Sequence, residues 1–375
     1  MIAALVLKFK RCMPISATSE QSSGPSDTVA SKPRAVALAG LRVLDLSRVL
    51  AGPWCTQLLA DLGAEVLKVE RPGHGDDTRA WGPPFAGDPQ AQRSAYFLSA
   101  NRNKRSLAID FSKPEGAELI RRLAAESDVV VENFRPGALA RHNLDYDSLR
   151  AIKPNLVYCS ITGFGQTGPE RERGGYDLVI QAMSGLMSIT GEADGPPIKV
   201  GVALIDVITG LYAANGIQAA LRHRDATGEG RHIDLALFDT ALAALVNQAS
   251  NYLASGTPPM RRGNAHPNIV PYQAFAASDG YLIVAVGNDD QFVKFCTAAG
   301  MPKLAHDPRY ATNAARVEHR EELIAQFEPL IAARNRDEWI TRLEGAGVPC
   351  GPVNDIAEAF AFSESAERNN QFQIH

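Results

Sequence analysis

Short apolar segments alternate with helix-forming segments from residue 41 onward, and this alternation is the strongest constraint on the fold. Strands are predicted at 41–46, 64–70, 105–111, 128–133 and 156–162, with helices between them at 52–63, 114–127 and 146–152. Strands that alternate with helices pair in parallel, because each helix carries the chain back across the sheet. The sequence therefore predicts the α/β class, with a mostly parallel sheet covered by helices on both faces.

The second half of the chain predicts a second, smaller unit. Long helical stretches at 206–224 and 235–255 are followed by TPPMRRGNAHPNIVPY, a loop rich in Pro, Gly and Asn. Beyond the loop, a strand at 281–287 and helices at 291–299, 316–333 and 337–346 indicate an α+β unit. The predicted domains are an extension (1–38), a large domain (39–235), a helical linker (236–262), a small domain (263–350) and the start of a return to the large domain (351–375).

Composition excludes several classes of protein. The chain has 38 basic and 42 acidic side chains and a formal net charge of −4, whereas a domain that neutralises nucleic-acid phosphates is usually clearly basic. The five cysteines form no CxxC pair, and the eight histidines show no HExxH or paired spacing. We therefore predict no nucleic-acid partner and no metal site. The absence of a GxSxG motif also counts against a serine hydrolase.

Residues 1–38 differ from the rest of the chain. A short apolar start and the basic residues Lys8, Lys10 and Arg11 lead into a stretch rich in Ser, Thr and Pro, with no acid before Glu20. This composition favours a disordered tail or an over-extended start over a transit peptide, which has more arginines. We expect a cytoplasmic location, with the mitochondrial matrix as the alternative if the extension is a transit peptide.

One segment, residues 200–221, is long and apolar enough to cross a membrane. It contains a single charge, Asp206, together with Asn215 and Gln218, and no aromatic belt flanks it. An apolar helix is also typical of the middle of a large soluble protein. We predict a buried helix and no membrane span, and a buried Asp206 then requires an explanation.

Asp206 is the most informative residue because it lies at or near the start of this apolar helix. As an N-cap it would stabilise the helix by about 1 kcal/mol. As a carboxylate in apolar surroundings, kept ionised by the helix N-terminus, it would be available as a nucleophile. The local sequence leaves both interpretations open. Tyr176 and Asp177 stand at another helix start, where Asp177 would also serve as a cap.

A glycine-rich segment, GFGQTG at residues 163–168, follows a predicted strand and matches the dinucleotide-binding fingerprint. Pro169 and a charged segment follow it, whereas a true fingerprint opens an apolar helix whose N-terminus holds the pyrophosphate. We interpret the segment as a turn between a strand and a loop.

Basic residues recur at or just beyond the predicted strand ends. They are Arg71, Arg102, Lys104, Arg105, Arg135 and Arg141. Ligands of parallel sheets bind beyond the carboxyl ends of the strands, and arginine suits phosphates. Scattered solvated charges explain the same distribution nearly as well.

Several motifs in order resemble a known family, the class III CoA-transferases or CaiB/BaiF family. They are LRVLDLSRVLAGPWCTQLLADLGAEVLKVERPGHGDDTR, NRNKRSLAIDF, VVVENFRPG, YCSITGFGQTGP, GYD, SGLMSITG and GVALIDVITGLYA. The resemblance covers about residues 40–356. It implies a Rossmann-like large domain plus a smaller α+β domain, in an interlocked homodimer. Within the family, GDDTRAWGPPF, GYD and IVPYQAF most resemble members that exchange CoA between succinyl-CoA and glutarate or related dicarboxylic acids.

The resemblance implies a CoA-transferase with Asp206 as the catalytic nucleophile. The carboxylate would attack an acyl-CoA thioester and form an aspartyl-acyl anhydride, so the site must exclude water. The positions that the resemblance implies for CoA contacts are Leu50, Ala51, Arg71, Asn133, Phe134 and Arg141. Those implied for substrate contacts are Tyr176, Asp177, Gly263 and His266, the last two in a loop that corresponds to the family's glycine-rich lid.

The partners implied are an acyl-CoA, expected to be succinyl-CoA, a small carboxylic or dicarboxylic acid such as glutarate, and a second copy of the chain. Coenzyme A is then a substrate, and no cofactor is expected to be bound permanently. The racemases of the family form an alternative, but they use histidine where this chain has Tyr176, and a phenol with a pKa of about 10 is a poor base at neutral pH. The resemblance decays after Asp355, and an inactive CoA-binding relic is a third alternative.

Overall fold

The computed structural model describes residues 2–3, 36–87, 93–368 and 370–372 of the 375-residue chain. Most of the predicted extension over residues 1–38 lies outside the described residues. The chain forms two compact units. The first contains the described residues up to Ser184 together with Gly201–Val246 and residues 370–372, and the second contains Gly185–Val200 and Asn247–Arg368.

This division differs from the predicted domains at three places. Residues 185–200 belong to the second unit although they were predicted in the large domain, and residues 236–246 belong to the first unit rather than to a linker. A return to the large domain was predicted over 351–375; residues 351–368 belong to the second unit, and of the described residues only 370–372 belong to the first, so the return begins later than predicted. A discontinuous unit of this kind leaves no composition shift at its boundaries, so the sequence did not indicate it.

The first unit is built on a six-stranded parallel sheet. Its strands are β1 (Arg42–Asp45), β2 (Glu65–Glu70), β3 (Lys104–Ala108), β4 (Val129–Glu132), β5 (Val157–Thr162) and β6 (Arg231–Ala236). They lie in the order β3-β2-β1-β4-β5-β6 and all pair in parallel. The order reverses between β1 and β4, and such a switch point leaves a crevice beyond the carboxyl ends of the two strands. The predicted α/β class is confirmed.

The helices predicted at 52–63, 114–127, 146–152, 206–224, 291–299 and 337–346 are present with ends within three residues of the prediction, whereas the one predicted at 316–333 is divided in two at His319. The helices are α1 (Ala51–Asp61), α2 (Ala95–Ala100), α3 (Pro114–Ala125), α4 (Tyr146–Ile152), α5 (Asp177–Met183), α6 (Leu186–Ile189), α7 (Leu204–Thr227), α8 (Leu237–Ala244), α9 (Val246–Ser255), α10 (Asp289–Ala298), α11 (Asn313–Glu318), α12 (Arg320–Ala332), α13 (Arg336–Gly345), α14 (Ile356–Ala361) and α15 (Ser363–Glu367). Residues of β4 and β5 are buried along their whole length, as expected for central strands covered on both faces.

One predicted helix, over residues 235–255, is wrong. Strand β6 occupies 231–236, and the helical part is divided into α8 and α9 at Val246, whose φ of 43° lies in the left-handed region. The strand was missed because the helix-like segment LALFDTALAAL overlaps its end. The alternation of Ile233 and Leu235 with polar neighbours is the period-two pattern of a half-covered edge strand.

The second unit contains a small antiparallel sheet. Strands β7 (Tyr272–Ala277), β8 (Gly280–Ala285) and β9 (Cys350–Pro352) lie in the order β9-β8-β7. Its core includes the buried side chains of Phe292, Phe327 and Trp339. The predicted α+β character of this region is confirmed.

Helix α7 is long and apolar enough, by length and composition, to cross a membrane. Core helices of soluble proteins pass the same test. In the structure 44% of its most apolar window is buried. The side that packs on α1 is covered, with Gly210 and Ala213 buried, whereas Leu211 and Tyr212 are exposed. The prediction of a buried helix therefore holds for one side of α7 only.

Candidate active site

A cavity of about 200 Å³ lies at the switch point of the large sheet, and Asp206 is part of its wall. We call it the Asp206 cavity. Its lining is Arg48, Val49, Leu50, Ala51, Asp77, Asn133, Phe134, Arg135, Pro136, Ile161, Thr162, Gly163, Arg173, Gly174, Gly175, Tyr176, Asp206 and Leu237. These residues follow β1, β4 and β5 or begin α7 and α8, so the parallel sheet brings together segments that are far apart in sequence.

The turn between β1 and α1 has an uncommon conformation. Val49 has a φ of 67°, in the left-handed region that a β-branched residue rarely adopts. The side-chain amide of Asn133 makes two hydrogen bonds to the backbone of Arg48, the residue before Val49. Its Oδ1 accepts from the N–H of Arg48 at 2.8 Å, and its Nδ2 donates to the Arg48 carbonyl at 2.7 Å. The side chain of Asn133 therefore fixes the turn that opens α1.

A buried ion pair, Lys68–Asp76, makes hydrogen bonds to the same turn. Lys68 Nζ lies 2.9 Å from Asp76 Oδ2 and donates to the Ser47 carbonyl at 2.8 Å, and the Asp76 carboxylate accepts from the N–H of Val49 at 3.3 Å. Lys104 Nζ lies 3.1 Å from the buried Asp45. Burial alone would raise the pKa of Asp45, but the two ammonium groups and two hydroxyl donors lower it to about 2.

Helix α1 points its N-terminus into the Asp206 cavity. Leu50 is its N-cap and offers no side-chain hydrogen bond to the first turn. The first N–H groups of a helix have no acceptor within the helix, so those at Leu50 and Ala51 are available to an oxygen atom in the cavity. Donors of this kind stabilise the oxyanion that forms when a thioester is attacked.

Asp206 lies in the first turn of α7, whose N-cap is Ala203. The interpretation of Asp206 as an N-cap is therefore wrong. The capping is done from another helix: Asp177 Oδ2 accepts from the N–H groups of Ile205 at 2.7 Å and of Asp206 at 3.2 Å. The other oxygen of Asp177 accepts a short hydrogen bond from Gln181. The carboxylate of Asp206 is thus left free of a capping role.

The surroundings of Asp206 disfavour its ionised form. Burial, and after it the negative charge of Asp177, raises the pKa of Asp206 to about 7. At neutral pH a substantial fraction is then ionised, and the ionised fraction is poorly solvated. A carboxylate in this state is a better nucleophile than one in water.

A second cavity, of about 310 Å³, adjoins the first. It contains Arg71 and is lined by Leu46, Arg48, Val69, Glu70, Arg71, Gly75, Asp76, Asp77, Ile109, Asp110, Phe111, Ser112 and Phe134. Arg48, Asp77 and Phe134 line both cavities. Together the two cavities offer an elongated site along the carboxyl edge of the sheet, with Asp206 at one end and the exposed Arg71 at the other.

The comparisons with known proteins identify the family of this chain. A family model described as CoA-transferase family III matches residues 38–375. The chain belongs to CoA-transferase family III. The match continues to the last residue, so the predicted decay of the resemblance after Asp355 is wrong.

The relatives of this family III chain include two proteins whose names contain glutarate as a substrate. The succinate–glutarate CoA-transferase of Agrobacterium fabrum is 54% identical over 326 residues, 86% of this chain and 82% of the relative. The succinyl-CoA:glutarate CoA-transferase of Mus musculus is 48% identical over 324 residues, 86% and 73%. The crystal structure of a CAIB/BAIF family protein from Brucella suis is 55% identical, with a TM-score of 0.79 over 88% of this chain and 87% of the other.

Five of the six residues predicted for CoA contacts line one of the two cavities, and their roles stay predictions. Leu50, Ala51, Asn133 and Phe134 line the Asp206 cavity, and Arg71 lines the second one. Arg141 is exposed in a 3₁₀ turn, Ala140–His142, and lines neither cavity. The glycine-rich segment 163–168 opens no helix, as predicted, and it lines the Asp206 cavity through Gly163.

The four residues predicted for substrate contacts are divided between the units. Tyr176 lines the Asp206 cavity with 71% of its surface exposed, and Asp177 is buried behind Asp206. Gly263 and His266 lie in the second unit. There Gly263 lines a separate cavity beside Glu192, and the His266 ring accepts from the N–H of Asn268 at 3.1 Å.

Sequence reasoning missed several residues of the site. Arg48, Arg135 and Arg173 line the Asp206 cavity; Arg135 was only one of six basic residues near strand ends, and the other two were not considered. Tyr96 was missed as well. Burial, and then the charges of Asp206 and Asp177, raise the pKa of Tyr96, so its phenol lies within electrostatic range of both carboxylates. The spacing of Tyr96 from any other motif offers no clue to this proximity.

Proposed function

We propose that this CoA-transferase moves CoA from succinyl-CoA to glutarate or a closely similar dicarboxylic acid. The names of the relatives at 54% and 48% identity support these substrates. The observation that carries the reaction type is the position of Asp206, a partly buried carboxylate without a capping role, in one cavity with the N-terminus of α1.

The reaction divides into exchanges of acyl groups at one side chain. The ionised oxygen of Asp206 attacks the thioester carbonyl of succinyl-CoA, and the C–S bond breaks to give CoA thiolate and an aspartyl-succinyl anhydride. The carboxylate of glutarate then attacks the aspartyl carbonyl and releases succinate, leaving an aspartyl-glutaryl anhydride. Attack of the CoA thiolate on the glutaryl carbonyl forms glutaryl-CoA and restores Asp206.

The chain's own groups serve these steps in distinct ways. The N–H groups at the start of α1 are donors for each oxyanion, and the turn that presents them is fixed by Asn133. Asp177 holds the first turn of α7 and so positions Asp206. The racemase alternative is not favoured, because the relatives are named as transferases and Tyr176 replaces the histidine base.

A second copy of the chain is part of the proposal. Apolar side chains stand exposed on the outer side of α7 and on the neighbouring α5; they are Leu178, Val179, Met183, Leu211 and Tyr212. Patches of this kind mark interaction surfaces in soluble proteins. The implied interlocked homodimer would cover them.

Replacement of Asp206 by Asn tests the proposed chemistry. The amide keeps the shape of the side chain but is not a nucleophile, so we expect turnover with succinyl-CoA and glutarate to fall on the order of 10³-fold or more, while CoA still binds. The variant removes a buried carboxylate whose ionisation is disfavoured, so its melting temperature should not fall. A thermal melt therefore serves as the folding control.

Trapping identifies the acylated residue directly. With wild-type protein and succinyl-CoA, hydroxylamine should convert the side chain of Asp206 to a hydroxamate that peptide mass spectrometry locates, and Asp206→Asn should show none. Label on another residue, or near-normal turnover of the variant, refutes the assignment. Exchange of the C2 proton of a 2-methylacyl-CoA without any acceptor acid would point instead to the racemase.

A further inference from the structure

The charge lining of the Asp206 cavity is asymmetric. Three arginines line it, Arg48, Arg135 and Arg173, against two acids, Asp77 and Asp206. The excess of positive charge indicates a ligand group that carries negative charge, such as a carboxylate or a phosphate.

Two of the three guanidinium groups already have acidic partners. Arg48 lies 3.4 Å from Asp77, and Arg173 lies 3.2 Å from Glu170. Each also lies over an aromatic ring, Arg48 at 5.0 Å from the centre of Phe134 and Arg173 at 5.8 Å from that of Phe164. These contacts fix the two side chains in place.

Arg135 differs from both. Within the part of the chain that the structure describes, its guanidinium makes no hydrogen bond or ion pair. It comes from the segment that follows β4 and lies against Gly174, where an added Cβ would be 3.7 Å from Arg135 Nη2. Gly174 precedes Tyr176 by two residues, and all three line the cavity that contains Asp206.

We infer that Arg135 binds the second carboxylate of the dicarboxylic acid and so determines specificity. The inference rests on the proposed function. One carboxylate of glutarate reacts at Asp206, and the other keeps its charge throughout and needs a partner. A guanidinium presents two parallel N–H donors to a carboxylate, which a lysine cannot do. The same anionic chemistry is offered by a phosphate of CoA, and the experiment separates the two sources.

The size of the effect follows from exposure. Arg135 is exposed in the free protein, so water satisfies it when a neutral group takes the place of the second carboxylate. Discrimination by a solvated arginine is modest, about tenfold, whereas a buried unpaired group would discriminate far more strongly.

The test compares glutarate with its monoamide as acceptors, both with succinyl-CoA as donor. The monoamide has the same shape and lacks the second charge, and effects on the donor cancel in the ratio of the two kcat/KM values. In Arg135→Gln we expect this ratio to fall about tenfold, with partial recovery in Arg135→Lys. Arg122→Gln, which changes an exposed arginine in the last turn of α3, should keep the wild-type ratio. If the monoamide turns over too slowly, its inhibition constant against glutarate replaces kcat/KM.

Two outcomes would overturn the inference: a wild-type ratio near unity, or a ratio that is unchanged in Arg135→Gln. If the ratio is unchanged and the dissociation constant for free CoA rises in the variant, Arg135 is assigned to a CoA phosphate instead. Failure of the proposed function would give a different result, because wild-type protein would then transfer CoA to neither acid.

Discussion

Asp206, the proposed nucleophile, is partly buried, which disfavours the ionised form that it needs in order to react. Burial, and then the charge of Asp177, raises the pKa of Asp206 to about 7. Only the ionised form attacks a thioester, so the rate of acylation should rise with pH, about tenfold per unit, and level off above about pH 7. Single-turnover release of CoA thiolate from succinyl-CoA measures this step.

The charge on Asp177 should displace that profile. In Asp177→Asn an oxygen still accepts from the N–H groups of α7, but the negative charge is lost, so the rising limb should move to lower pH. Burial also raises the pKa of Glu132 to about 7, and a profile that reports Glu132 would not move in this variant. An unmoved limb, or one displaced to higher pH, contradicts the assignment to Asp206.

At the scale of residues, the sequence singled out Asp206, the proposed nucleophile, but not what surrounds it. Asp206 stands out because it is the only charge in a long apolar segment. Asn133 was predicted to contact CoA, yet its side-chain amide is engaged by the backbone of Arg48. Such a contact joins residues 85 apart along the chain. Local patterns carry no information about it.

At the scale of elements, the site depends on how closely α1 approaches α7. A Cβ at Gly210 would lie 2.8 Å from the Ala51 carbonyl oxygen and 2.9 Å from Trp54 Cδ1. Gly210→Ala should therefore push α1 away and displace its N–H donors from Asp206. A shift of about 1 Å in such a site costs on the order of 10²-fold in rate, which steady-state kinetics on folded protein will measure.

A matched control lies on the same helix. At Gly216 the nearest atom to an added Cβ is Ile233 Cγ2, at 3.7 Å, an ordinary contact. Gly216→Ala should keep full activity and stabilise the fold by about 0.5–1 kcal/mol, the usual gain within a helix. Equal kinetics for the two variants would show that close packing at Gly210 is not needed for the site.

Elements were predictable where their pattern is local. The helix over residues 146–152 agrees with α4 at both ends, and the other strands of the large sheet lie within three residues of their predicted limits. The sixth strand was not, because its alternating pattern runs into an apolar helix. The division into units was not predictable either, since residues 185–200 join the second unit through contacts that only the folded chain makes.

At the scale of the whole molecule, the exposed apolar side of α7 is the interface at which the proposal places a second copy of the chain. Light scattering should then give a mass twice the 40.3 kDa of one chain. Leu211→Glu places a charge on that side and should shift the protein toward monomer, because an unpaired charge in an apolar interface costs several kcal/mol. Leu119→Glu, at an equally exposed leucine on α3, both being 46% exposed, should leave the dimer intact. If Leu211→Glu leaves the dimer unchanged, the interface lies elsewhere. If the wild type floats with lipid vesicles and Leu211→Glu does not, a membrane and not a second chain covers this side of α7.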